Sequence, residues 1–450
     1  MKNIVSRGIS LVLTLLLGCS VWIQTSVSYT LPESVRQKVQ ERTAGEQMLY
    51  AAYVLPYTDE EEYADKAMKA ISQCGINTIW VNDEVYSERH RALLLEKAHK
   101  YGLKVILCLR SYDMALAKSL VETCLDHPAL YALSLPDEPP MELLHEVVPY
   151  TNYFKSKIPA ESAVRIFCNL HANYTFLDGS SHPDTEAYSQ YVSDFLMLNP
   201  VDMVSFDNYA LSNFEAPENG YDHDNYSLSL LIENLATVAA QANRFGVESA
   251  GFMQCGTDYT SLRRLSQGDI NLYMNLYAAF GLDMIQYFVF AETKGFDGAL
   301  TWDSEPFGDG TLYKRVQTGI DRMNGMKGIF LDYTWKGFRA FQTTNFLADM
   351  DAHIPEKEVL LQEYRHFTGL TSPDNSRGLV GLFEGPHGET GAYIVNMDDL
   401  DEVDSSYSVT FNTMCSYRVW SAQGLEQMGR GRNVDVVLEP GGGCFIEISR

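Results

Sequence analysis

The regular alternation of strand-like and helix-like segments constrains the fold of this chain more than any other feature. Apolar runs of strand length recur eight times, at 48–57, 76–81, 103–109, 129–135, 163–169, 201–206, 248–253 and 283–290. A segment of helical composition follows each run, at 60–73, 88–100, 114–124, 141–156, 185–198, 227–245, 269–280 and 311–327. Because strands joined by helical crossovers pair in parallel, eight such units predict an α/β fold, a closed (β/α)8 TIM barrel. A doubly wound open sheet is the alternative, but no glycine-rich dinucleotide-binding motif follows the first strand.

The spacing of apolar residues changes in the last part of the chain and indicates a second domain there. Short alternating segments follow one another, separated by glycine-rich turns, at 378–383, 391–396, 407–412, 417–421, 434–438 and 444–448. This pattern predicts a small all-β sandwich of antiparallel strands. We therefore divide the chain into a barrel over residues 46–352 and a β-sandwich over residues 366–450.

The N-terminus carries an export signal. Two basic residues precede an apolar run at 9–17, which is too short for a membrane span. The run ends in a segment that resembles a bacterial lipoprotein box, in which Cys19 would be lipidated. Cleavage as an ordinary signal peptide near residues 26–28 is the alternative. We expect a signal peptide within residues 1–28 and an extracytoplasmic protein, either secreted or attached to the membrane through a lipid on Cys19.

Charge and cysteine content narrow the class of partner. The chain has 59 acidic and 34 basic residues, a net charge of −25, which argues against nucleic acid because that ligand needs basic patches. The seven cysteines beyond the signal form no CxxC pair and no zinc-ligand pattern, so we predict neither a metal site nor a cofactor. A disulfide between Cys415 and Cys444 and the oligomeric state both stay open.

Acidic and amide side chains follow the predicted strands at the end where a barrel places its catalytic residues. After the fourth strand the chain reads Pro-Asp-Glu-Pro-Pro, so proline stiffens the segment that carries Asp137 and Glu138. A polar turn that caps the next helix is the alternative interpretation of this segment. The other predicted strand ends also contribute polar groups, at Asn82, Asn169, His171, Asp207, Tyr209, Gln254 and Glu292. Hydrolysis of a glycosidic bond uses such groups, since one acid protonates the leaving oxygen while another group stabilises or attacks the anomeric carbon.

Two aromatic residues after the eighth strand are further candidates. Phe296 and Trp302 lie in one segment, and they would form either an aromatic platform for a sugar ring or a packed loop. The 27 tyrosines of the chain suit both sugar-binding clefts and packed cores.

The order of the domains and the Asp137-Glu138-Pro139 tripeptide resemble those of bacterial (β/α)8-barrel glycoside hydrolases of clan A. That clan carries its acid/base glutamate after the fourth strand, usually as Asn-Glu-Pro, so the resemblance implies the acid/base role for Glu138. Its nucleophile is a glutamate after the seventh strand, where this chain has Gln254. A glutamine does not form the usual glycosyl-enzyme ester, so the second catalytic group must have another source.

Two sources of that second group stay open. One is a carboxylate from another strand, either Asp207 or Glu292. The other is the substrate, because the adjacent Asp-Glu pair is also similar to that of family 20 and family 123 N-acetylhexosaminidases. In those enzymes the aspartate orients a 2-acetamido group, whose oxygen attacks the anomeric carbon. This resemblance implies that Tyr209 or Tyr287 holds the acetamido oxygen.

We therefore predict an exported glycoside hydrolase with a carbohydrate substrate. Glu138 is the predicted acid/base residue, Asp137 assists it and Asp207 is the reserve second carboxylate. A non-catalytic cell-surface glycan-binding protein on a degenerate barrel is the alternative, because Gln254 departs from the clan pattern. The sequence does not indicate the sugar, the linkage or the stereochemical outcome.

Overall fold

The first part of the chain forms a closed parallel barrel. A computed structural model describes residues 48–53, 61–82, 87–176, 184–211, 223–257, 262–293, 295–301, 310–341, 366–373, 376–398 and 404–449. The barrel strands are β1 (Leu49–Tyr53), β2 (Thr78–Asn82), β3 (Lys104–Cys108), β4 (Leu130–Ser134), β5 (Arg165–Leu170), β6 (Met203–Phe206), β7 (Glu248–Gln254) and β8 (Met284–Phe288). They pair in chain order, and β8 closes the barrel by pairing in parallel with β1.

Helices follow the strands as the sequence predicts. They are α1 (Glu61–Gln73), α2 (Glu88–Lys100), α3 (Met114–Cys124), α4 (Leu144–Lys157), α5 (Thr185–Leu198), α6 (His223–Phe245), α7 (Gln267–Ala279) and α8 (Thr311–Gly325). Local signals explain several of their ends. Ser266 and Asp269 form a capping box at the start of α7, and Gly102 and Gly281 follow α2 and α7 with φ of 71° and 72°. The predicted (β/α)8 fold is confirmed.

The inside of the barrel is filled with side chains. Trp80 lies against Phe167 and Phe252, at ring-centroid distances of 4.8 and 5.3 Å. Residues on the opposite face of the strands pack against the helices and form a separate, larger core. Because a filled barrel has no room for a substrate within it, a ligand must bind at the strand ends.

The C-terminal domain is a sandwich made from one antiparallel sheet. Its strands are β9 (Thr334–Phe341), β10 (Phe367–Thr371), β11 (Gly378–Glu384), β12 (Thr390–Asn396), β13 (Ser405–Ser421), β14 (Gly424–Leu438) and β15 (Gly443–Ser449). Strands β13 and β14 pair with each other, and their register shifts between Thr410 and Cys415 of β13. On its other edge, β13 pairs with β10 before this shift and with β15 after it. Gln427 donates a hydrogen bond to the carbonyl of Asp435, further along the same strand, so β14 bends back sharply. The sheet thus folds over itself around a core of its own.

Some features of this domain differ from the sequence-based expectation. The sheet includes β9 and β10, which the alternation pattern did not indicate, and β9 lies within the range given to the barrel. The segments at 407–412 and 417–421 are two halves of β13. Cys415 and Cys444 are buried free thiols rather than a disulfide, as expected for small apolar groups on neighbouring strands.

The sandwich packs against the helical layer of the barrel. Gly381 of β11 meets α7 so closely that a Cβ there would collide with the carbonyl of Ala279. The hydroxyl of Tyr393 in β12 donates to the side chain of Asn275 in α7 at 2.7 Å. Within the described ranges, no helix is long and apolar enough to cross a membrane.

Candidate active site

The turn after β4 carries Asp137 and Glu138 to the C-terminal end of the barrel. The backbone N–H of Asp137 donates to the carbonyl of Leu109 at 2.9 Å, and that of Glu138 donates to the carbonyl of Asn169 at 3.0 Å. The turn is thus tied to the strands on both sides of it. Glu138 has φ of 47°, a left-handed conformation that costs a non-glycine residue about 1–3 kcal/mol and is typical of functional sites.

Glu138 lies among groups that favour its charged form. Nδ1 of His171 is 3.5 Å from its Oε1, and 39% of the Glu138 side chain is exposed. Burial raises the pKa of Glu138, but hydrogen bonds with His171 and Asp207 and the charges of His171 and Arg110 outweigh it and hold the pKa below its ordinary value. Glu138 is therefore ionised at neutral pH.

Asp207 lies next to Glu138 and favours the opposite state. Burial and the negative charge of Glu138 raise the pKa of Asp207 well above its ordinary value. Its Oδ1 is buried and has no hydrogen-bonding partner among the described residues. The two carboxyl groups are hydrogen-bonded to each other, so the pair holds one proton, and Asp207, which has the raised pKa, keeps it.

Asp137 is a third carboxyl group in the same site. Burial and the charge of Glu138 raise its pKa to about 6, although a hydrogen bond from Asn169 opposes the shift. Nδ2 of Asn169 donates to Oδ1 of Asp137 at 3.3 Å. The site therefore holds a carboxylate, a carboxylic acid and a group that titrates near neutrality, an arrangement suited to acid–base chemistry.

Partly exposed aromatic rings line the strand ends beside these acids. Phe288 stacks on Tyr209 with ring centroids 5.0 Å apart, and it contacts Tyr53 at 5.2 Å and Phe296 at 5.4 Å. Tyr174, which is 38% exposed, lies near enough to Asp207 and Glu138 for their charges to raise its pKa. Such rings offer apolar faces to a sugar and hydroxyl groups to its polar atoms.

Sequence reasoning missed Tyr53 and Tyr174. Tyr53 is the last residue of β1, and the predicted first strand ran past it to residue 57, so it was not counted as a strand end. Tyr174 lies in a short 3-10 turn after β5. The aromatic character of that loop was the available signal, but only the fold shows which of its rings faces the acids.

Buried amides hold the loops after β5 and β6 together. Oδ1 of Asn234 in α6 accepts from the backbone N–H of Asn173 at 2.9 Å and from Nδ2 of Asn208 at 3.2 Å. Nδ2 of Asn234 donates to the Tyr188 hydroxyl, which donates to the carbonyl of His171 at 3.0 Å. Because a satisfied buried polar network is rigid, it fixes the loops on which the site depends.

The predicted site residues divide into groups by position. Asn169, His171 and Tyr209 lie with the three acids, as described above. Asn82 ends β2, and its Oδ1 is buried without a hydrogen-bonding partner among the described residues. Glu292 follows β8, where its backbone N–H donates to the carbonyl of Leu300 at 2.9 Å. Cys19, the signal segment and Trp302 lie outside the described residues.

Two predicted substrate-binding residues are fully buried and bonded within the protein. Gln254 is fully buried, with Oε1 accepting from the N–H of Leu211 at 3.2 Å and Nε2 donating to the carbonyl of Arg263 at 2.9 Å. Its amide therefore holds loop backbone. Tyr287 is fully buried in the core between strands and helices, with its hydroxyl towards the sulfur of Met274. Alternation along β8 turns this ring away from the barrel interior, which the resemblance could not reveal.

Comparison with known proteins finds distant structural matches only. No protein-family model matches the chain, and no curated protein sequence matches it. Among solved structures, it is similar to a family 51 alpha-L-arabinofuranosidase from Bifidobacterium longum, at 9% identity and a TM-score of 0.45 over 89% of this chain and 95% of that one. It is also similar to the endo-beta-1,4-mannanase from Thermotoga petrophila, at 10% identity and a TM-score of 0.41 over 90% of this chain and 92% of that one.

A protein with a different activity, a synthase, matches in the same way. The truncated 3-deoxy-D-arabino-heptulosonate 7-phosphate synthase from Thermotoga maritima is 11% identical, with a TM-score of 0.35 over 62% of this chain and 85% of that one. At such identities and scores these likenesses carry no argument about this chain. The function must be argued from the site.

Proposed function

We propose that the protein is a glycoside hydrolase and that Glu138 is its acid/base residue. The observation that carries the proposal is the hydrogen-bonded pair of Glu138 and Asp207, which holds one proton among tyrosine rings at the C-terminal end of the barrel. A proton donor for a glycosidic oxygen must hold its proton near neutral pH and then take one back from water. A carboxyl pair with one proton does both.

The two members of the pair have different tasks. Glu138, with 39% of its side chain exposed, is the member that meets the glycosidic oxygen, whereas Asp207, with its raised pKa, stores the proton. When a sugar excludes water from the site, the proton moves along the hydrogen bond to Glu138 and from there to the leaving oxygen. Asp207 thus restores the acid form of Glu138.

The contact between the two groups limits what Asp207 does. Asp207 lies beside Glu138, whereas the second carboxyl group of a glycosidase lies across the glycosidic bond from the first, about 5 Å or more away. Asp207 therefore works from the same side of the sugar as Glu138 and is not the group that attacks the anomeric carbon. Gln254 is unsuitable as well, because its amide is bound to loop backbone.

These exclusions favour a nucleophile that belongs to the substrate. We propose a sugar with a 2-acetamido group, whose carbonyl oxygen attacks the anomeric carbon. Asp137 in its carboxylate form accepts the acetamido N–H, and Tyr209 or Tyr174 donates to the acetamido oxygen. The position of Asp137 beside Glu138 supports this assignment, as does the proximity of both tyrosines to the pair.

Activity on a panel of aryl glycosides tests the proposal. We expect the purified protein without its signal segment to hydrolyse 2-acetamido-2-deoxy glycosides and to leave the matching 2-hydroxy glycosides intact. Turnover of the 2-hydroxy sugars would contradict substrate assistance and would point to Glu292 as the missing carboxylate. Failure to hydrolyse any sugar, with glycan binding retained, would contradict the hydrolase and favour the glycan-binding alternative.

Export and lipid attachment are part of the proposal. The basic start, the apolar run at 9–17 and Cys19 support them. We expect the full-length protein to fractionate with bacterial membranes and Cys19→Ser to release it to the soluble fraction. A Cys19→Ser protein that remains with the membranes would contradict lipid attachment.

A further inference from the structure

A line of three hydrogen-bonded polar side chains crosses neighbouring strands and ends at one of the three carboxyl groups. Asp137 follows β4, Asn169 is in β5 and Ser205 is in β6, and the last two are register partners in the parallel sheet. The hydroxyl of Ser205 donates to Oδ1 of Asn169 at 2.6 Å, and Nδ2 of Asn169 donates to Oδ1 of Asp137 at 3.3 Å. Ser205 is fully buried and Asn169 nearly so.

The orientation of the Asn169 amide depends on its two neighbours in the line, Ser205 and Asp137. The side-chain amide of asparagine has two orientations of nearly the same shape, and its hydrogen-bonding partners decide between them. A donating hydroxyl on one side selects the orientation with Oδ1 towards Ser205. The NH2 group then faces Asp137, and its hydrogen bond is stronger to the carboxylate than to the protonated acid.

We propose that Ser205 is a positioning residue of the active site, which locks the amide of Asn169 with its NH2 group towards Asp137. The bond thereby favours the carboxylate form of Asp137 and fixes the orientation of its side chain. The catalytic consequence rests on the proposed function, in which that carboxylate accepts the N–H of a 2-acetamido group. The positioning itself does not depend on any reaction.

Several other groups act on Asp137, so the effect of Ser205 must be separated from theirs. The titratable and charged side chains that interact with Asp137 come from the surrounding strands and turns: Tyr53, Cys108, Arg110, Glu138, Cys168, His171 and Asp207. Ser205 carries no charge, and its hydroxyl bonds to Asn169. A change in the titration of Asp137 on loss of the Ser205 hydroxyl would therefore report on the amide.

The experiment is a carbon-13 NMR titration of the protein labelled at its aspartate side-chain carboxyl groups, with Asp137 assigned by Asp137→Asn. Wild type should show a midpoint near pH 6 for Asp137. In Ser205→Ala the amide is free to turn, and we expect the midpoint to rise by about one pH unit, the size of one charge-assisted hydrogen bond. Ser205→Thr, which keeps the hydroxyl, should restore the wild-type value.

Control variants distinguish positioning from general damage. Ser249→Ala removes a buried strand serine away from the line and should leave the Asp137 midpoint unchanged. If Ser205→Ala does not fold, Ser205→Cys offers a weak donor of similar size and the same expected direction. An Asp137 midpoint that is the same in wild type and in Ser205→Ala or Ser205→Cys would overturn the proposal.

An activity measurement then tests whether the positioning of the Asn169 amide by Ser205 affects the reaction. If 2-acetamido glycosides are hydrolysed, the acid limb of kcat/KM should move to higher pH in Ser205→Ala and return in Ser205→Thr. An acid limb that stays in place while the NMR midpoint moves would contradict the catalytic consequence. If no glycoside is hydrolysed, the proposed function fails, whereas the NMR titration still decides the role of Ser205.

Discussion

The two ends of the barrel use charged side chains in opposite ways. At the N-terminal end, Arg165 and Glu248, the first residues of β5 and β7, form a buried ion pair. The ring of Tyr131 lies 4.7 Å from Nζ of Lys104 and 4.9 Å from the guanidinium of Arg165. At the C-terminal end, three carboxyl groups crowd together instead, and their pKa values diverge.

The difference separates stability from chemistry within one sheet. Opposite charges in contact compensate for the cost of removing each from water. Like charges in contact instead force one group to keep its proton, a state that is costly to hold but available for reaction. Variants at the two ends should therefore damage different properties.

The largest expected effect is on catalysis at the C-terminal end. Glu138→Gln keeps the shape of the side chain but removes its proton transfer, so kcat/KM should fall by about 10²- to 10⁴-fold. Its thermal unfolding midpoint should stay close to that of wild type. Glu62→Gln, at a side chain that is 84% exposed, is the matched control and should change neither property. Substantial turnover of an unactivated glycoside by Glu138→Gln would refute the assignment.

Asp207→Asn should cause the second-largest loss of activity. The new amide still donates to the Glu138 carboxylate, but it holds no proton that it can pass on. We expect kcat/KM to fall by about 10²-fold with little loss of stability, since Asp207 is already uncharged in the folded protein. A variant with normal turnover would show that Glu138 takes its proton from solvent and not from the pair.

The N-terminal end should respond in stability alone. Arg165→Met removes the guanidinium that pairs with the buried Glu248 carboxylate, and we expect the free energy of unfolding to fall by about 3–5 kcal/mol. Urea unfolding measures this loss, and the activity of the folded fraction should match wild type. Replacing both Arg165 and Glu248 by Met should recover much of the stability. A large drop in kcat for the folded single variant would contradict the division between the two ends.

The smallest effect is a pH dependence of stability from Asp137. Its pKa is about 6 in the folded protein against an ordinary 3.8, so the folded state binds the proton more tightly than the unfolded state. Its contribution to stability is therefore complete below about pH 4 and lost as the pH rises through 6. The free energy of unfolding of wild type relative to Asp137→Asn should fall between pH 4 and pH 7. An equal difference at both pH values would contradict the raised pKa.

The sequence by itself determined the architecture. Eight apolar runs, each followed by a helical segment, leave few topologies, because parallel strands need crossovers and crossovers are helical. The same pattern located the strand ends, and with them Asp137, Glu138, Asn169, His171 and Asp207. Chain order alone was sufficient for this, since a barrel brings all its strand ends to one face.

The tertiary structure alone decided how those residues interact. The pairing of Glu138 with Asp207 depends on the left-handed turn at Glu138 and on the position of β6, neither of which has a local sequence signature. The burial of Tyr287 and the backbone contacts of Gln254 likewise depend on which way each side chain points. Charge state follows from the burial and neighbours of a group, and both arise only when distant strands meet.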